Sequence, residues 1–107
     1  MIKVTYDRKH YRVTVNGHAN SGEAGHDLVC ASASILAYTL SANIINAKAA
    51  GYLRSGVAKL DPGETEVKCL PRSRYKATMM LVFDTICAGY ELLARDYPEN
   101  ISYEIKG

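Results

Sequence analysis

Cys30 and His18 are the two residues of this 107-residue chain whose types and spacing point to a reaction. The segment reads Gly17-His18-Ala19-Asn20-Ser21-Gly22-Glu23-Ala24-Gly25-His26-Asp27-Leu28-Val29-Cys30. A histidine leaves a strand pattern, a glycine-punctuated loop follows, and the thiol opens a helix pattern. A free thiol titrates near about 8.5, so only a few per cent of it is the nucleophilic thiolate at neutral pH. With Asp27 as the N-cap, Cys30 is the third helical residue and sits in the positive end of the helix dipole. That end is worth about 0.3–1 kcal/mol, against about 1.4 kcal/mol per pKa unit, so the helix alone lowers the thiol by less than one unit. A cation is needed too, and the His18 imidazole is the candidate that charges in the right pH range. The pair then reads as thiolate and imidazolium.

Neighbouring residues fall into supporting parts or into plain structure. His26 is closer in sequence to Cys30 and is the alternative partner; His18 has the firmer anchor, directly after a strand. A carboxylate beside Cys30 opposes thiolate formation, so Asp27, if not simply a cap, would serve by orienting an imidazole. Ser34 lies one helical turn after Cys30, where it can donate a hydrogen bond to the sulfur. Gly17, Gly22 and Gly25 permit backbone angles closed to other residues and make a hinged loop able to close over a peptide. Cys30 also reads as a small buried hydrophobe, and Cys69, Cys87 and the Met79-Met80 pair read as packing. The three cysteines are far apart with no C-x-x-C pair, so no metal and no cofactor are expected.

The whole chain sets wider bounds. Its length suits one domain, residues 1–107, large enough to hold a core without disulfide or metal staples. Apolar residues make up 48% and charged residues 22%, which is ordinary globular composition. The formal charge is only +2 and the Lys and Arg residues are scattered, with no RNA- or DNA-binding signature, so no direct nucleic-acid partner is expected. The amino end, Met1 to Asp7, lacks the apolar stretch of a signal peptide, and no continuous run of about 18 apolar residues suggests a membrane span. The expectation is a cytoplasmic protein whose thiols stay reduced.

The positioning elements follow from periodicity. Ile2, Val4 and Tyr6 alternate with polar residues, Asp7 to His10 turn, and Tyr11, Val13 and Val15 alternate up to Gly17, which predicts a hairpin with one apolar face. From Leu28 to about Ala50 no Pro or Gly interrupts an Ala-rich helix, with Leu36, Leu40, Ile44 and Ala47 on one face and Ala31, Ala33 and Ala37 allowing close approach. A second hairpin spans Tyr52 to Leu60 and Thr65 to Leu70, joined by Asp61-Pro62-Gly63-Glu64 as a type II turn. After Pro71, Ser73 can cap a second helix, through about Tyr97, whose apolar positions Met79, Val82, Phe83, Ile86, Tyr90, Leu93 and Tyr97 step by three and four. Pro98 stops it, and Ile101, Tyr103 and Ile105 form a last strand. The sum is an α+β fold of order ββαββαβ, a mixed or antiparallel sheet packed with two long helices.

Gly17-His18-Ala19, then Gly25-His26-Asp27-Leu28-Val29-Cys30-Ala31, then Ser34, resemble the signature of the ribosomal-processing cysteine proteases called Prp, small proteins of Firmicutes and related bacteria. The likeness extends over the ββαββαβ order, the length and the closing Tyr97-Pro98-Glu99-Asn100-Ile101. It implies a homodimeric endopeptidase that removes a short N-terminal extension from protein twenty-seven of the large ribosomal subunit, cutting after an aromatic pair. It further implies that Cys30 is the nucleophile, that His18 is the catalytic histidine, and that Asp27 and Ser34 support the site. The chain departs from the family pattern at Asn20, Ser21 and Ala24 of the loop and in the basic stretch Lys68 to Lys76. Prophage relatives that process a capsid or scaffold protein are therefore the alternative, as is a non-catalytic dimeric module that binds a ribosomal or capsid partner.

Overall fold

The computed structural model describes residues 1–18 and 26–107. Its elements are β1 (Ile2–Asp7), β2 (Arg12–Asn16), α1 (His26–Ala49), β3 (Leu53–Asp61), β4 (Glu64–Pro71), α2 (Lys76–Asp96) and β5 (Ile101–Lys106), with 3-10 turns at Arg8–His10 and Ser73–Tyr75. The strands form one five-stranded sheet in the order β3-β4-β2-β1-β5. Only the β1–β5 pair is parallel, with Ile2 opposite Ile101, so the sheet is mixed. This is the α+β order that the alternating and three-four patterns predict.

Both helices pack on one face. Ile2, Val4, Tyr6, Val13, Val67, Cys69 and Ile101 point from the sheet into a core closed by Leu40 and Ile44 of α1 and by Met79, Phe83 and Tyr90 of α2. The opposite face is polar and carries cross-strand ion pairs such as Arg12 with Glu66 at 2.6 Å. That division is what period-two alternation demands of a sheet with one covered face. α1 reaches the sheet closely at Gly56, where a Cβ would stand 2.7 Å from the Ile44 side chain. It meets α2 at Gly89, where a Cβ would stand 2.8 Å from a Leu36 methyl group. Ala33 and Ala37 are buried as small contact residues, whereas Ala31, expected with them, is exposed.

Several local expectations shift by a residue or two. His26 and Asp27 are both helical, so Asp27 is a residue of α1 and not its N-cap. Cys30 accordingly lies deeper in the helix than the third residue. Ser73 opens a 3-10 turn; Tyr75 precedes α2, and no side-chain cap bonds it. Tyr11 is not the first residue of β2 but a turn residue at φ 51°, with its ring edge-on to Phe83. Gly63 has φ +73°, as the third position of a type II turn requires. By length and mean hydropathy, 1.7 and 1.4, the helical stretches Asp27–Ala49 and Ser73–Asp96 meet the requirement for a membrane span, although neither contains an uninterrupted apolar run. Burial against the sheet accounts for part of that apolarity, and an exposed stripe on α1 accounts for more.

One polar cluster ties α2 to the first hairpin. Asp84 accepts from the Tyr6 hydroxyl at 2.8 Å and from Arg8 Nε and Nη2 at 3.0 Å each. The Arg8 hydrogen bond holds the Asp84 carboxyl below its ordinary value. A carboxylate with a depressed folded pKa adds stability above its unfolded value, and that stability is lost as pH falls through the folded one. Asp84→Asn should therefore cost about 1 kcal/mol at pH 7, a low figure because the ion pair is two-fifths exposed. Urea unfolding should show that difference shrinking as the solution is taken below the ordinary carboxylate range.

Candidate active site

The site begins where β2 ends. Gly17 follows Asn16 at φ +93°, and a Cβ there would strike the Met1 carbonyl oxygen, so the position accepts only glycine. The Gly17 amide donates to the Gly63 carbonyl at 2.9 Å. Gly17, expected as one of three hinges, is thus held by a hydrogen bond and by close packing. Gly22 and Gly25 lie outside the described residues, as does the side chain of His26. With Gly17 anchored, His18 lies against the β3–β4 turn. A Cβ on Gly63 would stand 2.6 Å from His18 Nε2, so the imidazole rests on the bare Cα of that glycine.

α1 supplies the facing wall. Cys30, Ser34 and Tyr38 recur every four residues and line one cleft, with Ala33 and Ala37 between them. Ile2 and Val15 come from the first two strands, and Leu60, Asp61, Pro62 and Thr65 join Gly63 from the second hairpin. The cleft holds about 320 Å³, the small end of ligand-sized cavities. The structure therefore brings His18, Cys30 and Ser34 to one cavity. Asp27 is exposed, in the first turn of α1, and is not part of the lining. No hydrogen bond joins Cys30 to His18 or to Ser34. Cys30 is half-buried and His18 exposed.

The other two cysteines are excluded by burial. Cys69 sits in the core, where desolvation pushes its thiol up to about 11, and Cys87 is pushed up to about 12. Both stay protonated at neutral pH. Of the three thiols only Cys30 opens on the cleft.

Residues 1–102 match the family described as cysteine protease Prp. The chain belongs to that family. It is accordingly a cysteine protease. Its fold matches that of the essential ribosomal processing protease Prp from S. aureus in complex with a covalently linked product peptide, at 25% identity and a TM-score of 0.67, covering 98% of this chain and 97% of that one. The same S. aureus protease in complex with a substrate peptide matches at 22% identity and a TM-score of 0.64, over 98% and 97% of the two chains. The Streptococcus mutans protein SMU.848 matches at 27% identity and a TM-score of 0.61, over 98% and 91%. No curated protein matches.

Sequence reasoning missed Tyr38, Leu60 and the Asp61–Thr65 turn region as cleft residues in this Prp-family chain. The turn itself was legible, but nothing local in it says that it meets His18; that requires β2 to pair with β4. Mass spectrometry after iodoacetamide treatment at neutral pH should find Cys30 alkylated first, with Cys69 and Cys87 protected until the chain unfolds. Equal modification of all three in the folded protein would contradict the burial pattern.

Proposed function

We propose that this protein is a cytoplasmic, homodimeric ribosomal-processing endopeptidase in which Cys30 is the nucleophile and His18 the acid and base. Its substrate on this reading is the short N-terminal extension of large-subunit ribosomal protein twenty-seven, cut after an aromatic pair. The observation that carries the proposal is that the single cleft-facing thiol shares its cavity with His18, in a chain of the Prp family. The similarity to the S. aureus ribosomal processing protease, which binds a substrate peptide, supports the substrate class.

The reaction follows from those two groups. The Cys30 thiolate attacks the scissile carbonyl carbon, and a C–S bond forms as the carbonyl oxygen takes negative charge. Backbone N–H groups at the start of α1 are the natural donors for that oxygen. The His18 imidazolium gives its proton to the leaving amine as the C–N bond breaks. Water then adds to the thioester, His18 accepts the water proton, and the thiolate departs. Ser34, one turn along α1, is placed to steady the sulfur, while Asp27 complements the helix dipole from the first turn. The apolar lining from Ile2, Val15, Tyr38 and Leu60 suits aromatic substrate side chains.

The dimer reading rests on the outer face of α1. Leu28, Ala31, Ile35, Tyr38, Ala42 and Ile45 recur at strict three-four spacing, carry no charge, and are all exposed. Such a seam is self-complementary when two copies of α1 lie antiparallel, which also opposes their dipoles. Tyr38 belongs to both seam and cleft, so the second copy walls the peptide site.

Two measurements test these assignments. Cleavage of a peptide bearing an aromatic pair should vanish in Cys30→Ala and fall roughly a hundred- to ten-thousand-fold in His18→Ala, with folding intact. Cleavage surviving Cys30→Ala would remove the nucleophile. Sedimentation should show a dimer for the parent chain and a folded monomer for Ile35→Asp; an unchanged mass for that variant would remove the α1 seam.

A further inference from the structure

No acidic residue occurs between Asp27 and Asp61, and none between Glu66 and Asp84. The fold brings these two acid-free stretches together at one end of the sheet. Leu53 of β3 pairs with Pro71 of β4, the Arg72 amide donates to the Tyr52 carbonyl at 2.9 Å, and Lys48 Nζ donates to the Arg54 carbonyl at 3.0 Å. Lys48, Arg54, Arg72, Arg74 and Lys76 are thereby gathered where α1 ends and α2 begins. All five are exposed, and among the described residues none forms an ion pair. In a chain of net charge +2, this leaves the remainder of the molecule net negative.

Stability of the fold accounts for Lys48, in the last turn of α1 and bonded to the Arg54 carbonyl, but not for the other four cations. Like charges repel, and Arg72, Arg74 and Lys76 lie beside the start of α2, where the dipole favours carboxylates; its first turn has none. A second feature sits among the cations. Tyr52 and Tyr75 stack at 4.1 Å with their planes 11° apart, and the Arg74 guanidinium lies 5.2 Å from the Tyr75 ring centroid. Flat groups of this kind stack on nucleobases, and cations spread beside them take phosphates. Tyr52 also packs against the core, but an acidic protein segment would use only the cations and not the half-exposed stack beside them.

We propose that this end of the molecule binds single-stranded RNA, its cations on the phosphates and the Arg74–Tyr75–Tyr52 stack against an unstacked base. Scattered in sequence, these cations argued for no nucleic-acid partner; the pairing of β3 with β4 is what concentrates them. The choice of RNA over DNA rests on the reading of the chain as a processor of ribosomal protein, whose substrate is surrounded by RNA. The surface and the cleft occupy opposite ends of β3. Its nine residues put them roughly 25 Å apart, so both can be filled together. RNA held at one end would keep the enzyme on a particle while the cleft engages a protein tail.

Fluorescence anisotropy with an unstructured, labelled 20-nucleotide RNA, titrated with intact protein over a range of KCl concentrations, tests this. Four phosphate contacts, from Lys48, Arg54, Arg72 and Lys76, predict a log–log salt slope of about −2.8. Arg72→Glu with Arg74→Glu should weaken binding more than tenfold and flatten the slope, while thermal stability and cleavage of a short peptide stay unchanged. Tyr75→Ala should weaken binding while leaving the salt slope in place. Equal affinity for DNA of the same sequence would overturn the assignment to RNA. Poly-glutamate displacing the RNA at matched charge would overturn it in favour of an acidic protein partner. Unaltered RNA affinity in the double charge reversal would overturn the surface altogether. The titration is repeated with Cys30→Ala, so loss of RNA binding and loss of peptidase activity are read separately.

Discussion

The hydrogen bond from the Gly17 amide to the Gly63 carbonyl is the constraint on which the cleft depends. It continues the β2–β4 pairing past Asn16 opposite Glu64, at the point where the chain leaves the sheet for α1. Two glycines meet there for different reasons. Gly17 has a positive φ and the Met1 carbonyl against its missing Cβ; Gly63 has the positive φ of a two-residue turn and the His18 ring against its own. A side chain at Gly17 would strike the Met1 carbonyl, and one at Gly63 would displace the His18 ring. The histidine is therefore placed by main-chain geometry, not by a polar partner for its ring.

The facing wall depends on a second close approach. α1 can present Cys30, Ser34 and Tyr38 to the hairpin only because Ala33 and Ala37 beneath them are small and because Gly56 admits Ile44. Tyr90 of α2 donates to the Ala33 carbonyl at 2.9 Å, which fixes the helix directly under the cleft. The thiol that opens on solvent and the thiols that do not are separated by this packing. Cys69 and Cys87 share the chemistry of Cys30 and are silenced by the desolvation that raises them. The chain of the Prp family is thus a sheet and two helices with a cleft at the rim that holds His18 and Cys30.

Element types were legible because each carries its own period. β1 buries Ile2, Val4 and Tyr6 at a period of two, and α2 buries Met79, Phe83, Ile86 and Tyr90 at three-four spacing, as a half-covered sheet and a core helix require. Helix starts were less legible. Asp27 has the residue type of an N-cap yet lies within the first turn, since a carboxylate is favourable at either position and composition does not distinguish them. Cys30 then lies deeper in α1 than the third helical residue, which weakens the case for activation by the dipole alone.

The amino-acid sequence by itself determined the elements, the Asp61–Glu64 turn chemistry and the presence of a histidine and a cysteine separated by a glycine-rich loop. All of these are encoded by neighbours within a few residues of one another. Tertiary structure alone decided that β4, not β3, lies beside β2, and hence that the second hairpin's turn carries His18 across from Cys30. It also decided which thiol is exposed, and that cations distant in the chain share one end of the sheet. Strand order and burial arise from contacts between residues tens of positions apart, and no local periodicity records which distant strand a given strand will choose.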